Sequence, residues 1–170
     1  MVIWVALLMA QSAAAQPQSG VAQQISRGEA LFYDADMGCG TCHALKGKGT
    51  AIGPDLKGIA HVSPAGIAMA VRSSVTQYVQ VVTLKSGDSF PTFPPPAGDQ
   101  AVKLYDLSKT PPAPHDVQRA DIGSMGPNPS WKHPPAGAKK YTDEQMADII
   151  AYVRYAGAGT RAPVDPADVK

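Results

Sequence analysis

An excess of charge of either sign is missing from this sequence: 15 Lys and Arg stand against 14 Asp and Glu, a formal net charge of +1. A nucleic-acid binder needs a concentrated basic surface, so nothing points to that class. Aromatic residues are scarce, at 6% of 170, while Gly and Pro number 16 each. The length suits one domain, but with so few large apolar side chains the core made by the chain alone is thin. Long hydrophobic runs are also lacking. The apolar stretch Met1–Ala10 is too short to span a bilayer. Followed by Ala13-Ala14-Ala15, and without the usual basic residues before it, it reads as a secretory signal peptide over 1–15, cleaved after Ala15. Cysteine is limited to two residues, so their placement decides a great deal.

Both lie in the run Cys39-Gly40-Thr41-Cys42-His43. A Cys-x-x-Cys-His run is a c-type haem attachment pattern. The two thiols form thioethers with the two vinyl groups of one porphyrin, and the adjacent histidine, on the first turn of a helix, then reaches the iron. Other readings are weaker. A thioredoxin-like dithiol belongs after a strand in a βαβ unit, whereas residues 20–33 look helical. A structural zinc site needs four ligands, and His61, His115 and His133 form no second paired motif. A plain disulfide leaves His43 without a role. A buried haem would also supply the apolar volume that the composition lacks.

Along the chain, residues 16–20 read as a flexible leader. Ile25, Leu31 and Phe32 mark a first helix over 21–33. Gly53-Pro54-Asp55-Leu56 breaks the chain into a loop, and Ser63-Pro64 caps a short helix running to about Val75. Val79, Val81, Val82 and Leu84, then Val102, Leu104 and Leu107, then residues 116–122, read as short strands, a small β insert at about 78–122. Residues 123–140 read as a Gly- and Pro-rich loop. Thr142-Asp143-Glu144-Gln145 is a capping box that opens a helix to about Ala156, with Met146, Ile149, Ile150 and Val153 on one face. Residues 157–170 read as a disordered tail.

Taken together, the first helix with Gly28 and Phe32, the Cys-x-x-Cys-His run, Gly53-Pro54-Asp55-Leu56 and the final helix resemble a class I c-type cytochrome over about 20–156. The resemblance implies a mainly α fold in which the first and last helices cross, with Gly28 small so that Tyr152 packs over it, and with the β insert as an addition. It implies one covalent haem c on Cys39 and Cys42, His43 as one axial iron ligand, and the Pro54 carbonyl accepting the Nδ1 proton of His43, a contact that fixes the tautomer. It also implies a methionine ligand in the loop before the last helix. Met1 and Met9 lie in the signal peptide, Met37 is too near Cys39, and Met69 and Met146 sit on apolar helix faces. Met125 is therefore the expected sixth ligand. His133 is the rival, and bis-histidine ligation would lower the reduction potential. His61 and His115 read as exposed polar residues.

The function implied is electron transfer in the periplasm: a single-haem carrier, not an enzyme, cycling between iron(III) and iron(II). A narrower likeness, to small bacterial cytochromes with a strand-rich segment before the methionine, implies a dehydrogenase as donor and an oxidase or another cytochrome as acceptor. Membrane attachment is expected only if residues 1–15 are retained. Lys46, Lys48 and Lys57 would rim the haem edge for an acidic partner or form an ordinary solvated surface. The alternatives are a peroxidase-like haem enzyme or sensor with an open distal site, and a subunit permanently bound to a quinone-dependent dehydrogenase.

Overall fold

The computed structural model describes residues 16–36, 38–72, 78–133 and 141–170. The expected signal peptide and Met37 lie outside them. Among the described residues there are three α-helices and seven strands: α1 (Gln16–Phe32), β1 (Ala44–Leu45), β2 (Lys48–Gly49), α2 (Pro64–Arg72), β3 (Gln80–Leu84), β4 (Ser89–Thr92), β5 (Ala101–Asp106), β6 (Ala113–Gln118), β7 (Ile122–Pro127) and α3 (Asp143–Ala158). None of the helices is long and apolar enough to cross a membrane.

The crossing of α1 and α3 is the most extensive contact between elements. It depends on a missing side chain, because a Cβ at Gly28 would lie 1.9 Å from the Asp148 carbonyl oxygen and 2.9 Å from Tyr152 Cβ. The close approach lets Arg27 donate two hydrogen bonds to the Asp148 carboxylate, at 2.7 and 2.8 Å. Beside it Phe32, Tyr33 and Tyr152 pack ring against ring, with centroids 4.9 to 5.9 Å apart. Helix α3 begins with the full capping box, Thr142 Oγ1 accepting from the Gln145 N–H and Gln145 Oε1 accepting from the Thr142 N–H. It ends at Gly159 in the left-handed region, φ 74°. Helix α2 is capped by Ser63 Oγ, which accepts from the Gly66 N–H at 3.2 Å.

The strands form three small sheets. β1 and β2 make a hairpin whose two-residue turn, Lys46-Gly47, has positive φ at both positions, 52° and 79°, as the twist of a tight hairpin requires. A three-stranded antiparallel sheet has the order β4-β3-β7, and β5 pairs with β6. Pro91 is tolerated in β4 because that strand lies at the edge of its sheet. The two sheets are joined by the Leu107 N–H donating to the Pro91 carbonyl at 2.9 Å and the Tyr105 N–H to Thr92 Oγ1 at 3.3 Å.

Two apolar clusters result. The first gathers Phe32, Leu45, Ile67, Met146, Ile150 and others from the helices. The second holds Val82, Phe90, Val102, Leu104 and Val117 from the strands, with Leu84, Ile122 and Met125 against it.

Several expectations need correction. Residues 16–20 are helical in backbone, since Pro17 falls within the first turn where its missing N–H costs nothing. The strands continue past 122, because β7 pairs with β3 through Pro127 despite its glycines. The tail at 157–170 is ordered: Val164 and Val169 are buried, Gln24 bonds the Val164 backbone through both its amide atoms, and Arg72 donates to the Val169 carbonyl. Two small apolar anchors and paired backbone groups suffice to hold a segment whose composition reads as loose.

Candidate functional site

Cys39–Thr41 form a single 3-10 turn, closed by the Cys42 N–H donating to the Cys39 carbonyl at 3.1 Å, and the same carbonyl accepts from the His43 N–H at 2.8 Å. That turn brings Cys39, Cys42 and His43 to one wall of a cavity of about 370 Å³, within the range of roughly 300–1,000 Å³ typical of cofactor pockets. The two thiols are not joined to each other. Burial pushes Cys39 up to about 11 and raises Cys42 as well, which keeps both as neutral thiols.

His43 is held from two sides. Its Nδ1–H donates to the Pro54 carbonyl at 2.9 Å, leaving Nε2 as the metal-binding nitrogen. Gly53 lies against the ring, where an added Cβ would come within 2.6 Å of Cε1 and 2.8 Å of Nδ1. Burial lowers the His43 pKa, more than the Pro54 hydrogen bond raises it, so the imidazole is neutral and ready to bind metal.

The helices and the strand-bearing segment share the rest of the lining. Ala70 and Val71 come from α2, Met146 and Ile149 from α3, Phe93, Leu107, Lys109, Thr110 and Pro112 from the connections between strands, and Trp131 and His133 from the chain after β7. The His133 ring faces that of His43, with centroids 6.0 Å apart and planes 22° apart, and Trp131 meets it edge-on at 6.3 Å.

The match of the cytochrome c family model to residues 25–157 is decisive. The chain belongs to the cytochrome c family. No curated protein matches its sequence. As a cytochrome c it carries covalently attached haem c and a haem-based electron-transfer role. The residues present fit that group: an apolar cavity, two free thiols at the spacing the porphyrin vinyls demand, and a neutral, oriented histidine beside them.

The loop placement of Met125 is a correction. The structure places it in β7, Cα-paired with Val82 and packed against the strand cluster, and the cavity wall is built without it. The reading that put it in a glycine-rich loop missed the pairing with β3. Met69 is 68% exposed. Met146, read as an apolar helix-face residue, is buried in the helical core and also touches the cavity. His115 stacks on Phe90 at 4.5 Å rather than standing free. Of the three lysines weighed between a haem-edge role and an ordinary solvated surface, Lys48 is engaged by Glu29 at 2.7 Å and lies over the Tyr33 ring.

The packing of Gly53 on His43, the place of Tyr141 in the cavity wall and the wall residues from the strand-bearing segment were not foreseen. For Gly53 the signal was in view, since the Gly-Pro pair was read for its loop and its carbonyl but not for the missing side chain. The wall residues carry no motif, and only the strand pairing brings them to the cavity.

Proposed function

We propose that this cytochrome c is a periplasmic single-haem electron carrier of the class I arrangement, with residues 80–127 inserted as a strand-bearing wall. On this reading Cys39 and Cys42 would hold the haem through thioethers and His43 would bind its iron through Nε2. The observation that carries it is the fixed His43 ring, tied to Pro54 and backed by Gly53, in a cavity enclosed by the helices on one part and by the insert on the other. The haem, when bound, supplies the one-electron iron(III)/iron(II) couple.

The chain's residues do the rest. The Pro54 carbonyl fixes the tautomer of His43 and enriches its Nε2 with electron density. Ala70, Val71, Phe93, Leu107 and Ile149 exclude water, which limits the reorganisation that accompanies a change of charge. A rigid, closed site of this kind suits electron transfer better than substrate turnover. We take the donor to be a periplasmic dehydrogenase and the acceptor an oxidase or another cytochrome, with residues 1–15 directing export.

The test is expression in a host with a haem-attachment system. Haem staining on a denaturing gel should follow the periplasmic fraction and vanish when Cys39 and Cys42 are both replaced by Ala. Rapid mixing with one-electron donors and acceptors should give complete, reversible reduction without peroxide consumption. A colourless exported protein, or brisk peroxide turnover, refutes the reading.

A further inference from the structure

Resting on the reading that haem fills this cavity, we propose that His133, and not a methionine, is the second axial ligand, so that the iron is held between two histidines.

The separation of the rings carries the argument. First-row metals bind an imidazole nitrogen at about 2.0 Å, as zinc does. The centre of a five-membered ring with bonds near 1.33 Å lies about 1.15 Å from each ring atom. Two imidazoles on opposite sides of one metal therefore place their centroids about 6.3 Å apart. His43 and His133 stand at 6.0 Å. Two near-parallel rings in direct contact in this same protein, Phe90 and His115, have the same 22° tilt but a centroid separation of 4.5 Å. The gap between the histidines is thus wider than ring contact, and it is the separation that one metal ion would span with a ring nitrogen of each histidine turned toward it. A histidine that only roofed an open distal site would stand further off, with room for another ligand on the iron.

The methionines are differently occupied. Met125 is committed to the strand cluster through the register of β7 on β3, and Met69 is at the surface. Met146 is the remaining described methionine at the cavity, and it is built into the helical core beside Ile149 and Ile150. A class I cytochrome with a strand-bearing insert has thus spent its loop methionine on packing the insert, and the axial place falls to the histidine that follows β7. The consequence is a reduction potential below that of a His/Met haem, because the thioether favours iron(II) more than imidazole does.

The experiment uses the purified holoprotein and the variants His133→Ala, His133→Met, Met125→Ala and Met146→Leu, read by ferric optical and electron paramagnetic resonance spectra and by potentiometry. The parent should be low-spin without the long-wavelength thioether-to-iron charge-transfer band. His133→Ala should retain covalent haem but turn high-spin, and added imidazole should restore the low-spin spectrum. His133→Met should gain the thioether band and shift the potential upward. Met125→Ala should keep the parental spectrum, and Met146→Leu, at the cavity wall, should remain low-spin with no thioether band gained or lost. A thioether band in the parent, or its loss on replacing either methionine, overturns the assignment while leaving the electron carrier intact. A parent without covalent haem overturns both. If His133→Ala does not fold, the parental spectrum and His133→Met still decide.

Discussion

Replacing Gly28 by Ala sets two effects of opposite sign against each other. Gly28 is in the interior of α1, where alanine is favoured by roughly 1 kcal/mol on helix propensity alone. Against this, the new methyl would sit 1.9 Å from the Asp148 carbonyl oxygen and 2.5 Å from its carbonyl carbon. Backbone atoms in the middle of α3 cannot swing aside as a flexible side chain can. The helices must separate, which loosens the Arg27–Asp148 pair and the packing of Tyr152 on Phe32. Overpacking costs typically 1–3 kcal/mol, and a clash with helix backbone belongs at the upper end, about 3 kcal/mol. The net loss is then about 2 kcal/mol, or a fall in Tm of roughly 4–8 °C for a chain of this size. Thermal unfolding of the holoprotein by far-ultraviolet circular dichroism measures it. Gly20→Ala is the control, because it lies in the same helix and its added methyl meets nothing within 4 Å; it should leave Tm unchanged or raise it slightly. A Gly28→Ala protein as stable as its parent would refute the argument that the helix crossing requires a bare backbone there.

Three further outcomes follow from the same geometry. Gly53→Ala should leave the haem covalently attached but tilt His43, seen as a partial shift of the ferric spectrum toward high spin; an unaltered spectrum would show that the ring is not held by Gly53. Tyr141, pushed up to about 12 chiefly by burial, has a neutral form favoured by folding, so its contribution is intact below its unfolded pKa near 10 and fades as pH rises through about 12. Denaturant unfolding across that window should therefore show a shallower loss of stability in Tyr141→Phe than in the parent, and parallel curves would exclude the effect. Val169→Ala should cost about 1–2 kcal/mol, since the side chain is fully buried; a loss near zero in urea titration would mean the C-terminal segment is not part of the core.

The parts of the molecule legible in the sequence are those written in local chemistry. The Cys-x-x-Cys-His turn, the Gly53-Pro54 loop, the Ser63 cap and the Thr142 box each involve neighbours in the chain and form where their motifs lie, although the first is a single 3-10 turn with His43 just beyond it rather than on the first turn of a helix. The strand-bearing segment was legible only where β-branched runs announced it. β4 carries Pro91, and β7 carries Gly123, Gly126 and Pro127, residues that read as loop until a partner strand supplies the hydrogen bonds. Met125 was misplaced for that reason: its position in the chain fits a ligand, and its pairing with Val82 is non-local. The C-terminal segment shows the same limit, because Val164 and Val169 gain their meaning from Gln24 and Arg72, more than ninety residues away.

The haem cavity is walled on one side by the helical cluster, through Val71, Met146 and Ile149, and on the other by the connections between strands, through Phe93, Leu107 and Pro112, while the side chains of the strand cluster itself stay off its wall. A porphyrin in that position acts as a keystone between two abutments. The strands therefore act on the cavity through the connections they hold in place, while Cys39, Cys42 and His43 stand on a separate turn of the chain.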